Sequence, residues 1–165
     1  MNTNNPFELF GLTPQLYVDH TELDHAFQKV QSLCHPDKTS CPLEKQAALS
    51  LSAKISTLYT DLKTPIGCLN AILKLHNREN IESVSKVVQD MEAMQQVFSM
   101  QEELMELKLD SNSEGIATLQ KKLNKLISDT ESAIMLAHKN NDNTALEKLA
   151  VRFSYLFKFK KTNSI

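Results

Sequence analysis

Four consecutive residues, His35-Pro36-Asp37-Lys38, carry most of the chemistry on offer in this sequence. An imidazole beside a carboxylate suits a general-base pair, but that chemistry needs a nucleophile with helpers, and no Ser or Cys so equipped accompanies them. A metal site is the second chemistry, because Cys34, His35, Asp37 and Cys41 supply thiolate, imidazole and carboxylate ligands. Pro36 splays its neighbours, however, and the spacing fits no common zinc pattern. Cys34 then reads as a small hydrophobe on a helix face and Cys41 as a residue at a helix start. Recognition is the third chemistry. Pro36 fixes its own φ and biases His35 away from helix, so His35 and Asp37 project as a directional polar pair able to hydrogen-bond a partner.

Two helices must present that tip. Residues 19 to 34 open with Asp19 as N-cap and Glu22 three positions on, a capping-box pattern, followed by Leu23, Ala26, Phe27, Val30, Leu33 and Cys34 at three-and-four spacing. Residues 42 to 62 open with Pro42 at a first helical position, and Ala48, Leu51, Ile55, Leu58 and Leu62 form one stripe. Two amphipathic helices around a short turn make an antiparallel hairpin with His35, Pro36 and Asp37 at its tip. Upstream, Pro6-Phe7-Glu8-Leu9 with Asn5 as cap and Gly11 after it predicts a short first helix; downstream, Ile66 to Leu75 predicts a fourth.

Composition bounds the rest. With 41% hydrophobic residues, 3 Gly, 5 Pro and no Trp, the chain is expected to be all-α. Its net charge of -2 and pI near 6.2 give no global basic field for nucleic acid or an anionic membrane. No apolar run approaches the roughly 18 residues a bilayer span needs, and Met1 to Asn5 lacks signal-peptide character, so a cytosolic protein with reduced Cys34, Cys41 and Cys68 is expected.

A polar stretch at 77–83 separates a first domain, 1–76, from a second, 84–165. Three helices are drawn in the second, from about Val84 to Leu109, Glu114 to Lys139 and Thr144 to Lys160, with short turns that force antiparallel neighbours and a three-helix bundle. Ile116, Leu119, Leu123, Leu126, Ala133 and Ala137 in one helix, and Leu146, Leu149, Phe153 and Leu156 in another, read as its core. The helix from Val84 carries surplus apolar surface. Val84, Val87, Met91 and Met94 keep one stripe, while Val97, Met100, Leu104 and Leu107 keep another displaced from it. Met94, Phe98, Glu102 and Glu106 lie along a drifting face with Gln95 and Ser99 beside them, apolar at one end and acidic at the other. On periodicity alone, burial of Met94 and Phe98 is the ordinary reading.

The ordered set of His35-Pro36-Asp37 between two helices, Pro6-Phe7-Glu8-Leu9-Phe10-Gly11-Leu12 before it, and Thr64-Pro65-Ile66 through Leu73-Lys74-Leu75-His76 after it resembles a J domain of the HscB type, the J protein of iron-sulfur cluster assembly. Met100-Gln101-Glu102-Glu103-Leu104 resembles the same family's C-terminal domain, so the likeness runs over nearly the whole chain. It implies a co-chaperone, not an enzyme, with no cofactor or metal of its own. His35, Pro36, Asp37, Lys38 and Lys29 would meet an HscA- or DnaK-type ATPase chaperone. The helix preceding the tip departs from the family's basic pattern, because Lys29 is its only cation against Asp19, Glu22 and Asp24. Met94, Gln95, Phe98, Ser99, Glu102 and Glu106, with Phe153 as the aromatic from the last helix, would meet an IscU-type iron-sulfur scaffold. A register one turn earlier, on Met91-Glu92, remains open. Because the chain begins directly with the J domain, the resemblance implies a bacterial form. Two other readings stand beside it: a J protein for a different client, and a metal-binding protein using Cys34, His35 and Cys41.

Overall fold

The computed structural model describes residues 5–34 and 41–165. Among them the protein is all-α, as expected, with eight helices and no strand. Its contacts divide it into two compact units, Met1–Arg78 and Glu79–Ile165.

In the first unit, α1 (Pro6–Leu9) starts on Asn5, whose side chain accepts the Glu8 amide at 3.2 Å. It ends at Phe10, with Gly11 following at φ 69, a left-handed value that glycine adopts without steric cost. α2 (His20–Leu33) starts on Asp19, whose carboxylate accepts the amides of Thr21 at 2.7 Å and Glu22 at 3.1 Å. α3 (Pro42–Leu62) and α4 (Pro65–Leu75) meet at a corner so close that a Cβ at Gly67 would collide with the Asp61 carbonyl. Phe7, Leu16, Leu23, Ile55, Leu62, Leu69, Ile72 and Leu73 form the fully buried centre.

The hairpin is held by a mixed seam. Phe27 stacks on Tyr59 with centroids 4.0 Å apart, Tyr59 Oη donates to Asp24 at 2.8 Å, and Gln31 Nε2 donates to Ser52 Oγ at 2.9 Å. That register leaves the first two turns of α3 beyond the end of α2. Leu33, expected on the buried face, is therefore exposed, as are Leu43 and Leu49 of α3. Toward the tip the stripe has no helix to cover it.

The second unit contains four helices rather than three. α5 (Ile81–Val87) begins inside the stretch expected to be a linker, because the Asn80 side chain caps it at 3.0 Å and its Ile81 and Val84 are buried. The single helix expected from Val84 to Leu109 is broken at 88–90: Val88 is extended, and α6 (Met91–Leu109) restarts on Asp90, whose carboxylate accepts the Ala93 amide at 3.1 Å. α7 (Ser113–Asn140) and α8 (Asn143–Asn163) complete the bundle, each begun by an Asn or Asp cap, and α8 runs on past Lys160 to Asn163. Leu119, Leu123, Leu146, Phe153 and Leu156 fill the core as their periodicity predicts, joined by Met100 and Leu104 of α6.

Candidate functional site

His35, Pro36, Asp37 and Lys38 lie outside the described residues. Their supports do not: α2 and α3 end and begin on either side, and Lys29 is exposed on α2. The seam register bears on the metal reading. Gln31 faces Ser52, so Cys34 lies level with residues near 49, and Cys41 falls roughly 10 Å further along α3 at about 1.5 Å per residue. Cys34 is buried on its helix face and Cys41 is exposed, and the two do not converge. The α3 amides of Glu44 and Leu43 hold the Cys41 thiol below its ordinary range, whereas burial pushes the Cys68 thiol up to about 12. Among the described residues no three His, Cys, Asp or Glu side chains group as a metal site.

The second site is the outer face of α6. Core positions Ala93, Met100 and Leu104 fall on one side, and about 100° per residue carries Met91, Met94, Phe98, Glu102, Met105 and Leu109 to the opposite side. Every member of that row is exposed; Phe98 keeps 63% and Leu109 84% of its surface. Gln95, Ser99 and Glu106 flank the row and are exposed too. Met94 and Phe98 are therefore not core residues, against the periodicity reading, because the bundle needs only one side of α6.

Phe153 is corrected in the other direction. It is fully buried and stacks on Phe157 at 5.7 Å between ring centroids, so it cannot offer surface to a client as the resemblance implied. Periodicity had placed it in the core, and the bundle agrees. Its neighbour Arg152 does reach α6. Arg152 Nε donates to Asp90 Oδ2 at 2.9 Å, and Nη2 donates to Glu92 Oε2 at 2.7 Å. Asp90 is almost wholly buried. Burial opposes its charge, but the Arg152 hydrogen bond and the Ala93 amide outweigh that opposition and hold the carboxyl below its ordinary range. This pair fixes where α6 begins and so how its outer row is aimed.

Two pairs, Asp90 with Arg152 and Gln101 with Asn163, are each 62 positions apart, so α6 and α8 run parallel and α8 ends level with Gln101. Met105 and Leu109 project past it. Sequence reading missed these two as members of the outer row, although Met91, Met94, Phe98, Glu102, Met105 and Leu109 step by 3, 4, 4, 3 and 4. Without knowing that α6 restarts at Asp90, the row cannot be separated from the stripe of Val84 and Val87.

The model of the family described as "HSCB C-terminal oligomerisation domain" matches residues 89–162. A "Co-chaperone protein HscB homolog" of Aeromonas salmonicida (strain A449) is 32% identical over 113 residues, 67% of this chain and 65% of that protein, so the alignment spans slightly less than two thirds of that relative. The homolog of the same description from Vibrio atlanticus (strain LGP32) is 31% identical over 133 residues, covering 79% of this chain and 77% of that protein. Among solved structures, chaperone HscB from Vibrio cholerae superposes with a TM-score of 0.77 at 23% identity, over 97% of this chain and 96% of that one. The last likeness concerns the fold alone.

Proposed function

The chain belongs to the HscB family of co-chaperones, and from that membership we propose that it stimulates the ATPase of an HscA- or DnaK-type chaperone in the cytosol and delivers an IscU-type iron-sulfur scaffold to it. The observation that carries the second half is the row of exposed apolar side chains on α6, set directly opposite the bundle core and ending among Glu102 and Glu106. A row of Met, Phe and Leu that the fold does not need for packing is suited to a partner with an apolar patch bordered by cations. His35-Pro36-Asp37 supports the first half. The sequence supplies no nucleophile or phosphate cradle, so the co-chaperone acts by binding one state of its ATPase partner better than another.

The experiment is a titration of purified scaffold into the full chain while chaperone ATP turnover is followed. Scaffold and co-chaperone together should raise turnover beyond the sum of their separate effects. Strict additivity would sink the delivery reading and leave a J protein serving another client.

A further inference from the structure

Beside the outer row of α6 runs a groove of about 220 Å³ between α6 and α8, with Met94, Val97, Tyr155, Lys158, Phe159 and Thr162 along its walls. Its lower end is closed by Asn163 Nδ2, which donates to Gln101 Oε1 at 3.2 Å and to the Phe159 carbonyl at 3.0 Å. That space exceeds the roughly 150 Å³ of an apolar cavity that takes benzene, so one large apolar side chain fits. Met94 belongs both to the groove and to the exposed row, which makes the two surfaces continuous.

The charges around it are sorted. On the exposed side of α6 the ionised groups are Glu102 and Glu106, whereas the α8 wall carries Lys158, exposed and without an ion pair among the described residues. A partner lying across both helices meets acid along one edge and an isolated cation along the other. We propose that this groove is the anchor pocket for the iron-sulfur scaffold, taking one apolar side chain that has a carboxylate next to it, the carboxylate pairing with Lys158. The inference rests on the scaffold reading of α6 and adds α8 to the interface. It also supplies the aromatic contribution from the last helix that buried Phe153 cannot make, through Tyr155.

The test uses the full chain and purified IscU-type scaffold in calorimetric titrations. Thr162→Trp fills the groove from an exposed position, and Lys158→Glu reverses its rim charge. Thr162→Trp should weaken binding about ten-fold or more at an unchanged melting temperature. Lys158→Glu should weaken it several-fold, with a shallower dependence of affinity on salt, and Lys158→Arg should restore parental binding. If Thr162→Trp and Lys158→Glu bind like the parent while Met94→Ala with Phe98→Ala does not, the groove is idle and the α6 reading stands alone. If the parent protein binds no scaffold, both fall. Concentration-dependent dimers in sedimentation that Thr162→Trp abolishes would make a second copy of this chain the occupant and overturn the proposal.

Discussion

The hairpin of α2 and α3 and the bundle around α6 use amphipathic helices in opposite ways. In the hairpin, each helix spends its apolar face on its partner and on α1 and α4, with Tyr59, Asp24, Gln31 and Ser52 completing the seam. What is left for recognition is a tip and the uncovered turns beside it. In the bundle, α6 buries Ala93, Met100 and Leu104 and still presents an apolar row on its far side. Recognition there is spread along a helix face. A tip made of a few polar groups is suited to a directional contact that distinguishes states of a partner, whereas a long apolar face is suited to holding a client.

The sharpest way to break this contrast is to remove one end at a time. His35→Gln should abolish stimulation of chaperone ATP turnover while scaffold titrations remain parental; turnover at the parental level would remove the tip from the account. Met94→Ala with Phe98→Ala should do the reverse, lowering scaffold affinity by about 100-fold, since two exposed anchors are truncated, and leaving unassisted stimulation intact. Arg152→Ala tests whether the aim of α6 depends on its clamp. Loss of the guanidinium leaves Asp90 charged and buried, and with Arg152 itself partly solvated the bundle should lose about 2 kcal/mol in urea denaturation. The folded-state pKa of Asp90 lies below its ordinary value of 3.8. Its contribution is therefore complete above that value and is lost as pH falls through the lower, folded one. Acid unfolding should accordingly be less steep in Asp90→Asn, and an unchanged profile would remove Asp90 from the linkage. The smallest effect is expected in the hairpin seam, where Tyr59→Phe deletes the 2.8 Å bond to Asp24 and should cost about 1 kcal/mol, read from a urea melt of the full chain.

Much of this architecture is legible in the chain itself. Asn5, Asp19, Thr64, Asn80, Asp90, Asn112 and Asp142 each accept a backbone amide at a helix start, so short-range hydrogen bonding marks those boundaries. Three of them, Asn80, Asp90 and Asn112, lie where sequence reading drew a linker, a continuous helix or a turn. Asp90 is the instructive case: as a mid-helix polar residue it has no distinguishing local signal, and only Arg152 from a distant helix makes burying it favourable. Leu33 failed for a related reason, since its periodicity is correct but α2 ends before α3 does.

The candidate sites divide along the same line. His35-Pro36-Asp37 could be singled out because proline geometry and polar composition act locally, within a few bonds. Met94, Phe98 and Phe153 share one periodicity with every other apolar residue of the bundle, and nothing local says which side of a helix its neighbours will cover. Sequence alone determined that the protein is helical, where most helices start, and that a polar tip joins two of them. The tertiary structure decided which apolar residues are spare, turning Phe98 outward and Phe153 inward, because burial depends on the packing of distant helices and not on the order of residues within one.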